Sequence, residues 1–278
     1  MPEMELAAGT IEYEDTGGAG PVIVLTHGLL MDGSVWRKVL ESLGSEYRCV
    51  VPTLPLGAHR KAMRAEADLS MAGIAALLGE LLEQLELQDV TLAMNDWGGP
   101  QLLIGGPQDA RIARLALIAC EAFDNVPPQG AARLLPYIAR VPGGLAVALL
   151  PFRVNALRRL PMTFGHMSRR PVSREVMDRW FAPVREQAAV RRDLRKYVLS
   201  SSAGRRALVA AAETMRAFQR PALVVWAGED KLMPREHGAR LAALLPQGQL
   251  AEIEDSYTLI PEDQPLELAG LLRALVRR

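Results

Sequence analysis

The sequence predicts a doubly wound α/β domain: a mostly parallel central sheet, helices on both of its faces, and a helical lid inserted late in the chain. Two observations lead there. Short runs that are apolar at nearly every position alternate with longer runs of helical spacing. Strands take that composition when helices cover both of their faces. The alternation stops between about Phe123 and Arg220 and resumes at Pro221, so an all-helical block interrupts the sheet rather than trailing it.

Taken in order, L-A-A-G-T-I-E-Y-E-D (6–15) alternates polar and apolar residues like an antiparallel pair at a sheet edge. The buried runs follow: P-V-I-V-L-T (21–26), R-C-V-V-P-T (48–53), D-V-T-L-A-M (89–94) and A-R-L-A-L-I-A-C (113–120). Beyond the helical block comes A-L-V-V-W-A (222–227). Between them, S-V-W-R-K-V-L-E-S-L (34–43) and the stretch 68–85 carry helical spacing, with Ser70 placed to cap the second. The expected division is a core of residues 1–124 and 219–278 and a helical cap of 125–218. From Arg153 to Lys196 the cap holds 12 basic residues against 4 acidic ones. Solvated helix faces account for such a surplus, and a preference for anionic substrates is the sharper alternative.

A chain of 278 residues can bury a sizeable core. Its 32 basic and 32 acidic side chains argue against a general nucleic-acid binder, which needs a basic surplus to displace counterions. The apolar stretch Gly144–Phe152 is too short to span a bilayer, and the acidic start M-P-E-M-E-L leads into no signal-like run. The expectation is a cytoplasmic protein whose partner is a small apolar molecule, with neither nucleic acid nor membrane. Cys49 and Cys120 read as buried free thiols, and neither C-x-x-C nor zinc-like His/Cys spacing occurs. No metal or organic cofactor is implied.

In open α/β sheets the site lies beyond the carboxyl ends of the strands. Three ends carry polar residues. In T-H-G-L-L-M-D-G-S (26–34), His27–Gly28 can turn the chain so that the Leu29 N–H points into a site. In T-L-A-M-N-D-W-G-G-P (91–100), Asp96 sits at a strand-to-helix turn. Asp is a favoured helix cap, but a cap does not call for two glycines just inside the helix. Close approach of helix to strand does, and it would lift Asp96 above the sheet. In W-A-G-E-D-K-L-M-P (226–234), Asp230 follows a buried strand.

Together these stretches resemble the α/β-hydrolase fold: H-G-x-x-x-D, a sharp elbow, a helical insertion, then G-E-D. The elbow of most such proteins reads G-x-S-x-G; here it reads M-N-D-W-G, with Asp96 in the serine position. An elbow aspartate followed by tryptophan is similar to the haloalkane dehalogenases and epoxide hydrolases, and D-W-G-G fits the epoxide hydrolases best. The resemblance implies Asp96 as nucleophile, Asp230 as orienting acid, and the Leu29 and Trp97 N–H groups as oxyanion hole beside the His27 turn. The Trp97 indole would help a leaving halide. Dehalogenases usually carry Asn where this chain has Leu29, and epoxide hydrolases carry Pro where it has Leu30.

The resemblance also implies a histidine near the C-terminus, where this chain reads D-S-Y-T-L-I-P-E-D-Q-P (255–265). Its column falls on Thr258, with Tyr257 in the glycine column. Threonine is no base near neutral pH. Serine chemistry would end with that loss, whereas an aspartate, ionised at roughly pH 4 and above, can still attack. What is lost is the base for cleaving the resulting ester. Three completions stand: a substitute base, His166 or His237; Asp96 as acid/base in an elimination, isomerisation or cyclisation; or a non-catalytic ligand-binding protein. Asn95 and the aromatics Tyr137, Trp180, Phe181, Tyr197 and Tyr257 are candidate pocket residues for any of them.

Overall fold

The computed structural model describes residues 1–161 and 163–278. An antiparallel hairpin, β1 (Glu3–Leu6) and β2 (Gly9–Asp15), forms one edge. There follow β3 (Val22–Thr26), α1 (Arg37–Leu43), β4 (Arg48–Pro52), α2 (Met71–Gln84), β5 (Val90–Asp96) and β6 (Ile112–Cys120). The lid contributes α3 (Leu135–Arg140), α4 (Gly144–Ala148), α5 (Arg174–Glu186), α6 (Ala188–Leu199) and α7 (Ser201–Met215). The core resumes with β7 (Ala222–Ala227), α8 (Arg235–Leu244), β8 (Gly248–Ile253), α9 (Ile260–Asp263) and α10 (Pro265–Val276). The sheet order is β1-β2-β4-β3-β5-β6-β7-β8, antiparallel as far as β4 and parallel from β4 to β8.

The central strands explain their own composition. Every residue of β5 and β7 is buried, because helices lie on both faces. Ser70 caps α2, its side chain accepting from the Gly73 N–H at 3.1 Å. Two local expectations are corrected. The helical run 34–43 divides into a 3₁₀ turn, Gly33–Trp36, and α1. After Asp96 no α-helix starts at Trp97; a 3₁₀ turn spans Gly99–Leu103 with Gly98 at its cap. Gly105 at φ 77° and Pro107 follow too soon for an α-helix to propagate.

Polar contacts tie the lid to the core. Arg179 Nε donates to Asp32 Oδ2 at 2.6 Å, and the Trp180 indole donates to Ser34 Oγ at 2.9 Å. Asp193 accepts from the Met63 N–H at 2.8 Å and lies 3.3 Å from His59 Nε2. The last lid helix, α7, rests on α2 and α8 of the core. Within the lid, Phe152 packs on Phe181 at 4.5 Å and Phe164 on Trp180 at 5.9 Å between ring centroids.

Candidate active site

Asp96 ends β5 at φ 66°, a left-handed conformation costing an L-residue roughly 1–2 kcal/mol. The turn lifts its carboxylate clear of the sheet, where Oδ2 accepts from the Leu29 N–H at 3.1 Å. That bond runs to the loop after β3, so the carboxylate does not cap its own helix. The glycines make room for it. A Cβ on Gly28 would sit 1.8 Å from Asp96 Oδ2, and one on Gly98 would sit 2.2 Å from the Glu121 carbonyl oxygen. Asp96 lies at the wall of a cavity of ≈ 410 Å³ between core and lid. The rest of the wall is largely apolar, with Leu135, Leu149, Phe152 and Leu194 among its residues.

Burial, with a smaller push from the charge of Asp230, raises the Asp96 carboxyl to about 7 against the pull of the Leu29 N–H. Among the described residues no cationic group offsets this. The sequence reading missed a second carboxyl on the same wall, Glu121, directly after β6. Burial and the nearby charge of Asp96 raise it well above the usual range, and the Gly98 N–H and the Tyr197 hydroxyl offset this only in part. Among the described residues Glu121 Oε2 has no hydrogen-bond partner, nor has the Trp97 indole N–H. Both residues line the cavity, as does Tyr197. The strand-end rule that singled out Asp96 also covers position 121, so the signal existed.

Other expected residues sit elsewhere. Asp230 follows β7 behind the cavity wall; its Oδ1 accepts from the Leu232 and Met233 N–H groups and from Thr258 Oγ1 at 2.8 Å. Thr258 therefore occupies the space next to Asp230, too short to reach the cavity. Asn95 faces into the protein, its amide donating to the Ile118 and Thr258 carbonyl oxygens. The Trp97 backbone N–H donates to the Asn95 carbonyl at 2.8 Å, because the elbow is that tight, leaving Leu29 as the backbone donor on the carboxylate. His27 is fully buried, one nitrogen facing the Gly28 carbonyl and the other accepting from the Leu54 N–H. Burial lowers it to about 4, so it is a neutral brace of the turn.

Neither proposed substitute base lines the cavity. His237 packs edge-on against Phe123 at 5.1 Å, and His166 lies partly exposed in the lid. Tyr137 points outward, 65% exposed, while Trp180 and Phe181 are spent on lid packing. Tyr257 lies under Lys231. Of the lid aromatics expected there, Tyr197 is the one on the cavity wall.

Residues 23–271 match the model of the alpha/beta hydrolase family. Haloalkane dehalogenase 2 of Mycobacterium tuberculosis is 27% identical over 270 residues, 95% of this chain and 90% of that protein. The cis-3-alkyl-4-alkyloxetan-2-one decarboxylase of Xanthomonas campestris is 26% identical over 286 residues, 96% of this chain and 92% of that one. Among solved structures, a putative ancestral haloalkane dehalogenase superposes with a TM-score of 0.78 at 20% identity, covering 100% of both chains. The haloalkane dehalogenase DbeA of Bradyrhizobium elkani gives 0.76 at 20% identity over 98% of this chain and 96% of its own.

Proposed function

Because the chain belongs to the alpha/beta hydrolase family, we propose that it is a covalent hydrolase in which Asp96 attacks an electrophilic carbon of a small apolar substrate. One observation carries this: a strained, nearly bare carboxylate at the head of an apolar cavity, held by a single backbone amide. An aspartate needs no base to attack.

Glu121 completes the cycle that the absent histidine leaves open. Two carboxyls whose surroundings push their proton affinities apart divide into nucleophile and acid. Asp96, its carboxylate held by the Leu29 amide, attacks the ring carbon of an epoxide while protonated Glu121, whose Oε2 is free to face the substrate, gives its proton to the departing oxygen. The product is an Asp96 ester bearing a hydroxyl group, beside a Glu121 carboxylate. That carboxylate takes a proton from water as the water adds to the ester carbonyl. The intermediate collapses to diol and Asp96 carboxylate, with Glu121 protonated again. Charge and atoms balance over the cycle. A strained oxygen ring is the substrate class this fits best, and the Xanthomonas relative is named for a four-membered one. An alkyl halide is the second reading, favoured by the unpartnered Trp97 indole N–H, which can hold a halide, and by the dehalogenase relatives.

The test is intact-protein mass spectrometry with a terminal epoxide and an alkyl bromide, beside a single turnover in ¹⁸O-water. The expected results are an alkyl adduct on Asp96 that Asp96→Asn abolishes, ¹⁸O in the Asp96 carboxylate, and an attack rate climbing with pH through about 7 as Asp96 ionises. Product formed without ¹⁸O in Asp96, or neither adduct nor product with either reagent, would overturn the reading.

A further inference from the structure

We propose that the outer face of the lid docks on an anionic lipid surface and draws lipophilic substrates from it into the cavity. Of the twelve large apolar side chains left exposed among the described residues, eight fall between Leu134 and Leu160. Leu134, Tyr137, Val141, Val147, Leu150 and Val154 are each 48–65% exposed. Apolar patches of this kind mark contact sites rather than ordinary surface. Leu134 and Leu160 are both exposed and line the cavity, so apolar side chains of this stretch reach the cavity itself.

Charge selects the partner. From Asn125 to Arg174 the chain has eight arginines and no Asp or Glu, while the remaining residues carry 24 basic against 32 acidic side chains. Arg133, Arg140, Arg153 and Arg159 are exposed, and none has a carboxylate partner among the described residues. Arg140 lies over the Tyr137 ring at 5.4 Å, an amphipathic pair suited to a headgroup boundary. A second copy meeting this face would set arginine against arginine with no carboxylate in the segment to intervene. Nucleic acid would answer the arginines and leave the valines and leucines wet. An anionic bilayer answers both, phosphate to guanidinium and acyl chain to apolar side chain. The expectation of no membrane rested on the length needed to span one, a requirement that surface docking does not share. Among the described residues no helix is long and apolar enough to cross a membrane.

Docking is independent of the chemistry; substrate uptake rests on the reaction proposed at Asp96. The full-length protein is sedimented with vesicles of phosphatidylcholine alone and with vesicles containing phosphatidylglycerol, at low and high salt. Binding to the anionic vesicles should exceed binding to neutral ones about tenfold or more and weaken with salt. Val147→Asp with Val154→Asp, and separately Arg140→Glu with Arg153→Glu, lie off the cavity wall and should each abolish binding. Thermal melting and covalent labelling in solution by a water-soluble epoxide should stay at parent levels in both. Equal binding to both vesicle types, no binding to either, or variants that still bind would overturn the proposal. So would a dimer in solution that the same variants dissociate, which would assign the face to a second copy.

Discussion

Asp96 ends β5 and Glu121 follows the neighbouring β6, and the same functional group meets different surroundings at the two places. Asp96 has the Leu29 amide on one oxygen. Glu121 has an oxygen with no partner, and the charge of Asp96 beside it. The proposed reaction accordingly keeps the proton of this pair on Glu121, and replacing that residue would separate its two halves. In Glu121→Gln, attack on an alkyl bromide should continue near the parent rate, since a halide leaves without a proton. In the parent, Glu121 then gives its proton to solvent, because the ester removes the Asp96 charge that helped to hold it, and becomes the carboxylate that hydrolysis needs. Ester hydrolysis should slow by about 10²–10⁴-fold, the usual worth of a general base. The Asp96 adduct would then accumulate and be seen by mass. A variant that turns over like the parent would remove Glu121 from the chemistry and return the search to another base.

At the scale of elements, the lid is held by a motif that the sequence presented as part of the site. The aspartate of H-G-x-x-x-D is Asp32, which never reaches the cavity. It is fully buried, and although burial alone would raise its carboxyl, bonds from Ser34 and Arg179 bring it below the usual range. Asp32→Ala leaves Ser34, Trp180 and Arg179 of the lid interface without their anchor. The expected loss is roughly 2–3 kcal/mol, under the 3–5 kcal/mol of a fully buried pair because Arg179 is half in water. Urea unfolding would measure it, and a change below about 0.5 kcal/mol would mean that the lid is held by its apolar contacts alone. The same elements show what the sequence could disclose. β5 and β7 were legible because both faces are buried and nearly every residue is apolar. β8 was not legible from its periodicity: it starts at a glycine and turns most of its residues toward water. The elbow was legible through Gly98 and Gly99, whose absent Cβ atoms clear the Glu121 carbonyl and the Trp97 ring. Glu121 was not singled out, because a glutamate at the end of a buried strand reads as an exit to solvent until the lid is seen to close over it. The lid side chains facing the cavity follow no period, and Tyr137 and Tyr197 differ only in which way short helices turn them.

For the whole molecule, the site is a source of instability whose sign can be worked out. Asp96, Glu121 and Asp230 are buried carboxyls that folding makes weaker acids. A carboxyl whose folded value is raised holds its proton while the unfolded chain has already lost it. Its contribution is fully present below the unfolded value and disappears as pH rises through the folded one. For Asp96 the window runs from the ordinary value of 3.8 to about 7. At 1.36 kcal/mol per unit the loss across it is roughly 4 kcal/mol, a large share of the 5–15 kcal/mol typical of a folded domain. The parent protein should therefore unfold at lower urea concentration at pH 8 than at pH 5. Asp96→Asn keeps an oxygen for the Leu29 amide but cannot ionise, so it should equal the parent near pH 4 and exceed it by a few kcal/mol at pH 8. Glu121 would relax in the same variant, since part of what raises it is the Asp96 charge, and that adds to the gain. The measurement is the difference between the two proteins across pH 4–8, which cancels the titrating groups that the Asp96 charge does not reach. Parallel curves would mean that the carboxylate is solvated in the folded state, and the proposed nucleophile would then lose the buried, poorly satisfied charge on which its reactivity depends.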